Sequence, residues 1–194
     1  QCVFEVFARH LPAGRRFGVV AGHGRMLEAI ESFRFDDDDI DWLRSIGFDD
    51  KPTLEYLRTY RFTGSIDGYP EGEMFFPLSP VLTIRGTFAE CVVLETLVLS
   101  ILNHDCAVAS AAARMVLAAR GRPLIDMGSR RTHEFAAVAA ARSAHIAGFS
   151  TTSNLAAGRQ YGIPTAGTAS HASVLLQGDE ATAFEAQVGV FGPA

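Results

Sequence analysis

Short apolar stretches separated by polar turns divide the first hundred residues into predicted strands and helices. Runs rich in valine, isoleucine and phenylalanine predict strands, and the turn at 12–14 predicts that the first two strands pair as a hairpin. Apolar residues spaced three and four apart predict helices. In chain order, the pattern predicts strands over 3–10 and 16–21, helices over 24–33, 36–46 and 50–60, and strands over 62–66, 73–76 and 81–85. We therefore expect an N-terminal α+β domain.

The four consecutive aspartates at 36–39 lie at the predicted start of the second helix. Carboxylates at this end of a helix complement its dipole. No histidine or further carboxylate is spaced to complete a metal site with them. We therefore interpret the run as a solvated helix start.

A long apolar segment follows the last of these strands. Residues 88–102 are apolar on nearly every side of a helix, which predicts a well-buried helix. Its length and its charged residues Glu90 and Glu95 argue against a membrane span. The polar triplet at 103–105 can interrupt this helix before a second, alanine-rich helix over 107–120.

The rest of the chain repeats strand, polar loop and helix three times. The strands are predicted over 123–127, 147–149 and 163–166. This alternation is typical of a parallel α/β sheet or barrel. In both architectures, ligands bind at the carboxyl ends of the strands. The polar residues of this region stand at those ends, whereas the strands themselves are almost wholly apolar.

The three strand ends carry side chains suited to an anion. Arg130 and Arg131 follow the first strand, hydroxyl-bearing residues 150–153 follow the second, and Thr168 with His171 follows the third. Guanidinium groups bind phosphate or carboxylate, and turn amides add neutral donors. Taken alone, the arginine pair is equally well a surface ion-pair partner, and the histidine a cap or core residue. Their convergence favours a small phosphorylated or carboxylated ligand, with the histidine carrying a proton or accepting a phosphoryl group.

Composition narrows the classes of function. A formal net charge of −5 over 194 residues disfavours a nucleic-acid partner. The three cysteines are widely spaced and fit a reducing compartment, with neither a disulfide framework nor a zinc site. No secretory signal is visible, so a cytoplasmic location is the default expectation. The sequence contains no glycine-rich nucleotide loop and no His-Glu-x-x-His motif, so a dedicated protein-bound metal is not indicated.

Six segments along the chain carry a resemblance to a known family. They are 4–9, 71–80 and 94–103 in the first half, and 125–134, 148–154 and 164–171 in the second. Together, and in this order, they resemble the nicotinate phosphoribosyltransferase family. The resemblance implies an N-terminal α+β domain with a linking helix over 1–102. Over 103–194 it implies the first part of an irregular, TIM-like α/β barrel, and hence an α/β fold.

The resemblance also implies an activity. Members of the family transfer phosphoribosyl from phosphoribosyl pyrophosphate to nicotinate, coupled to ATP hydrolysis and with Mg²⁺, and form nicotinate mononucleotide and pyrophosphate for NAD biosynthesis. A homodimer with shared active sites is expected. The resemblance assigns His171 as a transient phosphohistidine, Arg130 to the phosphoribosyl substrate and Met127 to the pyridine ring. Gly128, Arg131, Ser150 and Thr168 are the remaining expected substrate-binding residues.

Two alternatives stay open. The related nicotinamide phosphoribosyltransferases carry an aspartate at the position that resembles Ser150. A hydroxyl donates to the carboxylate of nicotinate, whereas an aspartate would repel it, so Ser150 favours nicotinate. The chain begins at Gln1 instead of an initiator methionine, and a strand is predicted almost at once, so we expect it to be a piece of a longer protein. Alone, the piece is then expected to be an inactive fragment or binding module.

Overall fold

The computed structural model describes residues 1–192, which form a mixture of helices and short strands. This mixture confirms a fold of the α/β class in general. A barrel and a domain boundary after residue 102 stay predictions, and residues 193–194 of the predicted second domain lie outside the described residues. The elements are β1 (Cys2–Val6), β2 (Gly18–Val19), α1 (His23–Ser32), α2 (Asp37–Ser45), α3 (Lys51–Arg58), β3 (Ser65–Gly68), β4 (Met74–Phe75), β5 (Leu82–Gly86), α4 (Phe88–Ala119), β6 (Ile125–Asp126), α5 (Glu134–Ile146), β7 (Thr151–Thr152), α6 (Leu155–Tyr161), α7 (His171–Gln177) and α8 (Glu180–Phe191).

The predicted hairpin between the first two strands is wrong, because each strand pairs with a distant partner. β5 is the central strand of an antiparallel sheet in the order β1-β5-β3, with Phe4 opposite Ile84. β2 pairs instead with β4, with Gly18 opposite Phe75. A Cβ atom on Gly18 would lie 2.1 Å from the Phe75 ring, so glycine here lets the ring pack directly on the strand.

Helix starts that have local capping signals are confirmed. Asp36 accepts a hydrogen bond from the Asp39 N–H, and the Asp39 side chain accepts one in return from the Asp36 N–H. This capping box explains the aspartate run as the start of α2. Asp50 likewise accepts from the Thr53 N–H at the start of α3.

The polar triplet at 103–105 does not interrupt α4, contrary to the expectation from sequence. Asp105 is fully buried, and Arg25 of α1 donates to its two carboxylate oxygens at 3.0 and 2.9 Å. His104 Nδ1 lies 2.8 Å from the same carboxylate. Because a residue 80 positions away satisfies the buried charge, the helix continues to Ala119.

The expectation that this helix is well buried holds on one face alone. Leu94 and Val98 are almost fully buried, whereas Phe88 and Leu99 are 66% and 44% exposed. By length and composition alone, α4 could cross a membrane, because an 18-residue window of it has a mean hydropathy of 1.6. A third of that window is buried inside the protein. In this fold, however, α4 packs against β1, β2, β5, α1 and α5 as the core helix. The absence of a membrane partner stays a prediction.

Glu90 fixes the start of α4 and ties it to the segment before β3. Its Oε2 accepts hydrogen bonds from the N–H and hydroxyl of Thr87 at 2.9 and 2.6 Å. Its Oε1 accepts from the N–H and hydroxyl of Thr63 at 3.1 and 2.7 Å. The bonds from Thr87, and then those from Thr63, lower the pKa of the Glu90 carboxyl to about 2. The Tyr60 hydroxyl also donates to the Glu90 carbonyl at 2.8 Å.

The second half contains a short parallel pair of strands. Ile125 of β6 lies opposite Thr151 of β7, and Thr152 forms a further parallel bridge to Thr165. The predicted strand over 147–149 is wrong, because Gly148 adopts φ +113° and turns the chain after α5. The predicted strand over 163–166 is reduced to the single bridge.

We expect Glu90→Gln to destabilise the fold at neutral pH, because an amide nitrogen cannot accept the bonds that one carboxylate oxygen accepts. The folded pKa is below the ordinary value of 4.5, so the contribution is present above about pH 4.5 and is lost as the pH falls towards about 2. The loss in free energy of unfolding should be about 2–3 kcal/mol at neutral pH and should shrink in acid. Denaturant unfolding at neutral and acid pH measures both.

Glu95→Gln is the matched control, because Glu95 is an exposed carboxylate on the same helix. It should leave the free energy of unfolding unchanged at both pH values. Equal effects of the two substitutions, or a pH-independent effect of Glu90→Gln, would contradict the anchoring role of Glu90.

Candidate functional site

The loops that follow β6 and β7 lie at one edge of the short parallel sheet. The Ser153 N–H donates to the Asp126 carbonyl at 2.8 Å, and Asn154 Nδ2 donates to Ser129 Oγ at 3.1 Å. The third segment joins them, since the Ala166 N–H donates to the Thr152 carbonyl at 3.0 Å. Three chain segments therefore lie side by side where the short strands end, over residues 127–131, 153–154 and 166–168, whereas the predicted convergence of Arg130 and Arg131 with Thr168 and His171 stays a prediction. We call these residues the site edge.

Asp126 holds the first two segments of the site edge together. Its Oδ1 accepts the Gly128 N–H at 2.9 Å, and its Oδ2 accepts the Thr152 hydroxyl at 2.8 Å. A Cβ atom on Gly128 would lie 3.0 Å from Asp126 Oδ1, so a larger residue would push the carboxylate away. The Thr152 hydroxyl in turn accepts the Asn154 N–H at 3.0 Å. One carboxylate thus fixes the spacing of both loops.

Arg130 and Arg131 present their charges at the site edge. Residues 128–130 form a 3-10 turn, closed by a hydrogen bond of 2.8 Å from the Arg131 N–H to the Gly128 carbonyl. Both side chains are exposed. Among the ion pairs within residues 1–192, none involves either arginine. The alternative of a surface ion pair is therefore not seen, and both guanidinium groups can face an external anion.

Asn154 places the start of α6 at the same edge. Its side-chain oxygen accepts the Ala157 N–H at 2.9 Å and so caps the helix, while its amide nitrogen reaches Ser129. This cap faces the turn that carries the two arginines. Both of these donors are engaged within the protein, so the guanidinium groups are what this edge offers to a phosphate or carboxylate group.

Of the other predicted site residues, Met127 and Thr168 lie within the site edge, whereas Ser150 and His171 lie outside it. Met127 is 44% exposed at the end of β6. Thr168 is exposed at the end of the third segment, and His171 is exposed as the first residue of α7. Ser150 lies before β7, where its N–H donates to the Leu124 carbonyl at 2.9 Å. Ser150 therefore stands at the amino end of the strand, and its role in selectivity stays a prediction.

Sequence reasoning did not single out Asp126, Ser129 or Asn154 as site residues, although it included Ser153 among the hydroxyl-bearing residues 150–153. One available signal was Asp126, a carboxylate at the end of an otherwise apolar strand. Ser153 and Asn154 could be placed at the edge once the strand was known to begin at Thr151. Their register relative to β6 depends on pairing across 26 residues, which the local pattern does not specify.

The site edge does not fit a protein-held Mg²⁺. Both oxygens of the Asp126 carboxylate are already engaged by Gly128 and Thr152. Within the described residues, no group of three or more His, Cys, Asp or Glu side chains could hold a metal ion. Mg²⁺ prefers octahedral oxygen ligands and often binds through substrate phosphates.

A cavity of about 440 Å³ lies away from the site edge, between residues 6–17 and α4. Most of its walls are apolar, and Phe7, Phe17 and Leu99 are among them. Arg15 and His10 stand among its few polar residues. Because the cavity belongs to the N-terminal half, it is separate from the loops that follow β6 and β7.

Comparisons with known proteins agree over nearly the whole chain. A family model described as the nicotinate phosphoribosyltransferase (NAPRTase) N-terminal domain matches residues 1–103. A nicotinate phosphoribosyltransferase of Mycobacterium tuberculosis is 64% identical over 198 residues, which cover 98% of this chain and 44% of that protein. One from Bacillus subtilis is 38% identical over 187 residues, covering 95% and 38%.

A solved structure shares the fold. Human nicotinic acid phosphoribosyltransferase superposes with a TM-score of 0.83 at 32% identity, covering 90% of this chain and 36% of that one. The chain therefore spans less than half the length of these relatives.

We expect Asp126→Ala to loosen the site edge, because the Gly128 N–H and the Thr152 hydroxyl both lose their acceptor. The free energy of unfolding should fall by about 1–3 kcal/mol, and amide hydrogen exchange should accelerate at 127–131 and 151–154. Asp126→Asn is the matched variant, since its amide oxygen keeps one acceptor, and it should have a smaller effect. Unchanged exchange in Asp126→Ala, or equal effects of both variants, would contradict the role given to the carboxylate.

Proposed function

The chain belongs to the nicotinate phosphoribosyltransferase family, and we propose that the protein containing it transfers phosphoribosyl from phosphoribosyl pyrophosphate to nicotinate. The products are nicotinate mononucleotide and pyrophosphate, used in NAD biosynthesis. The observation that carries this proposal within the chain is the site edge. There, Arg130 and Arg131 stand beside the Asn154 helix cap, with no ion pair of their own within residues 1–192.

The charges at the site edge suit this transfer. The bond between the anomeric carbon and pyrophosphate breaks, its oxygen keeps the electron pair, and the ring nitrogen of nicotinate forms the new bond. Negative charge therefore grows on the leaving group, where the guanidinium groups stabilise it. The ring nitrogen is already a nucleophile, so positioning contributes more than acid–base help. Met127, half exposed at the end of β6, offers an apolar surface for the pyridine ring.

ATP coupling is assigned to His171. Its imidazole is exposed at the first residue of α7, where a ring nitrogen can attack the γ-phosphorus of ATP and release ADP. The phosphohistidine then loses its phosphoryl group to water. Mg²⁺ supplies charge neutralisation on the phosphates when it is bound. Gly128 and Thr168 complete the substrate-binding set of this chain, while Ser150 favours nicotinate over nicotinamide as a proposal.

The rest of the proposal concerns the assembled protein. We expect a cytoplasmic homodimer in which the partner subunit and the remainder of the protein complete the pocket. No nucleic-acid partner is expected, because the net charge is −5. The 194-residue piece alone is expected to bind poorly and to show no turnover.

Nicotinate-dependent release of pyrophosphate from phosphoribosyl pyrophosphate tests the activity. The whole protein should release pyrophosphate with nicotinate, and ATP should increase the rate. Nicotinamide in place of nicotinate should give much less product. Equal use of nicotinamide would favour the nicotinamide-specific alternative, and no release with either base would contradict the proposal.

His171→Ala should abolish both stimulation by ATP and incorporation of the labelled γ-phosphate, because no other residue would accept the phosphoryl group. Turnover without ATP should continue. The matched control is His10→Ala, since His10 is an exposed histidine far along the chain from the site edge. Persistent labelling of the His171→Ala protein would remove His171 from the coupling step.

A further inference from the structure

A partly buried ion pair joins the N-terminal half to α5, the helix that follows the arginine turn of the site edge. Glu71 lies in the loop between β3 and β4, and Arg142 lies on α5. Arg142 Nη1 and Nη2 donate to Glu71 Oε1 and Oε2, both at 2.7 Å. The Gly22 N–H also donates to Glu71 Oε1, at 2.7 Å. This carboxylate therefore binds a guanidinium in a fork and the amino end of α1 at the same time.

The backbone around the pair is shaped for it. Gly22 adopts φ +101°, a conformation that side-chain-bearing residues rarely adopt. A Cβ atom on Gly24 would lie 2.5 Å from Arg142 Nη2, so glycine leaves room for the guanidinium. The Ala21-Gly22-His23-Gly24 segment thus forms a cradle into which a charge from α5 reaches.

Each charge of the pair is stabilised by the other, because water reaches neither side chain well. The side chains of Arg142 and Glu71 are only 16% and 21% exposed. Burial alone would raise the pKa of the Glu71 carboxyl, but hydrogen bonds from Arg142, Gly22 and Gly24 outweigh burial and lower it. Removing one partner would leave a poorly solvated charge.

Arg142 also holds the helix that follows the second loop. Its guanidinium carbon lies 5.2 Å from the centre of the Tyr161 ring, which suits a cation–π contact. Tyr161 is the last residue of α6, and α6 begins directly after Asn154 of the site edge. One guanidinium, carried on α5, thus contacts both the N-terminal half and α6.

The position of Arg142 along α5 relates the pair to the arginine turn. α5 starts at Glu134, three residues after Arg131, and Arg142 lies eight residues further. At 1.5 Å per residue, the pair is about 12 Å from the start of α5. A helix is stiff over this length, so a shift at Arg142 moves the turn at 128–130.

We propose that the Glu71–Arg142 pair is a positioning contact for phosphoribosyl transfer: it sets α5 and α6, and through them the spacing of the arginine turn and the Asn154 cap. This inference rests on the proposed function. Neither residue contacts substrate. The loop 69–72 of the N-terminal half thereby takes part in the reaction through the geometry of the site edge.

The test compares Glu71→Gln, Arg142→Lys and the double variant in the whole protein. Glu71→Gln keeps the shape of the side chain, and Arg142→Lys keeps the charge but loses the fork. At a temperature where circular dichroism shows every variant folded, each single variant should lower kcat/KM about tenfold. The double variant should lose no more than the worse single variant, because both changes break one contact.

Arg85→Lys is the matched control. It disturbs the Arg85–Asp67 ion pair, which joins β5 to β3 and includes no residue of α1, α4, α5 or α6. It should lower the thermal midpoint at most slightly and leave kcat/KM unchanged. A purely structural Glu71–Arg142 pair would give variants with a lower midpoint and wild-type kcat/KM.

The outcomes separate this inference from the proposed function. If the wild-type protein shows no nicotinate-dependent release of pyrophosphate, the proposed function fails. If the wild type is active and the variants keep its kcat/KM, or if the losses of the single variants multiply in the double variant, the positioning role is overturned. The positioning role is supported if the folded single variants lose kcat/KM, if these losses are not additive in the double variant, and if Arg85→Lys keeps the wild-type kcat/KM.

Discussion

The buried face of α4 is the constraint on which the rest of the structure depends. The antiparallel sheet of the first half and α5 of the second half both pack on this one helix. Its first turn is anchored by four hydrogen bonds to Glu90, and its middle is held to α1 by the buried Asp105. A continuous helix of 32 residues therefore fixes where the second half begins relative to the first.

Two sets of contacts hold the site edge in place, one within it and one between the helices that follow its loops and the N-terminal half. Within the edge, Asp126 links the arginine turn to β7 through one carboxylate. Behind it, the Glu71–Arg142 pair ties α5, and through Tyr161 α6, to the cradle at the start of α1. The exposed arginines carry the charge that an anion requires, while partly buried groups carry the geometry. This division follows from electrostatics, since a charge exposed for a ligand cannot also be held in a buried pair.

Features specified by neighbouring residues could be predicted from the sequence, and features specified by distant ones could not. Asp36 and Asp50 identify helix starts because their partners lie three residues away. The pairing of β2 with β4 depends on Gly18 accommodating the Phe75 ring, which no local pattern reveals. Asp105 resembles a helix breaker until Arg25 is known to lie beside it. Ser150 was expected after a strand because the strand itself was placed too early, before the turn at Gly148.

The parallel arrangement of the three segments was predictable because alternating strands and helices imply parallel strands, whose ends share an edge. The convergence of the side chains named from the sequence stays a prediction.

Hydrogen exchange of the whole protein with and without saturating pyrophosphate examines that edge as the ligand-binding surface. Slower exchange is predicted at 127–131 and 153–154, with no change in residues 7–17 beside the separate cavity. Protection confined to 7–17, or no protection at 127–131 in a protein that binds pyrophosphate, would contradict the assignment.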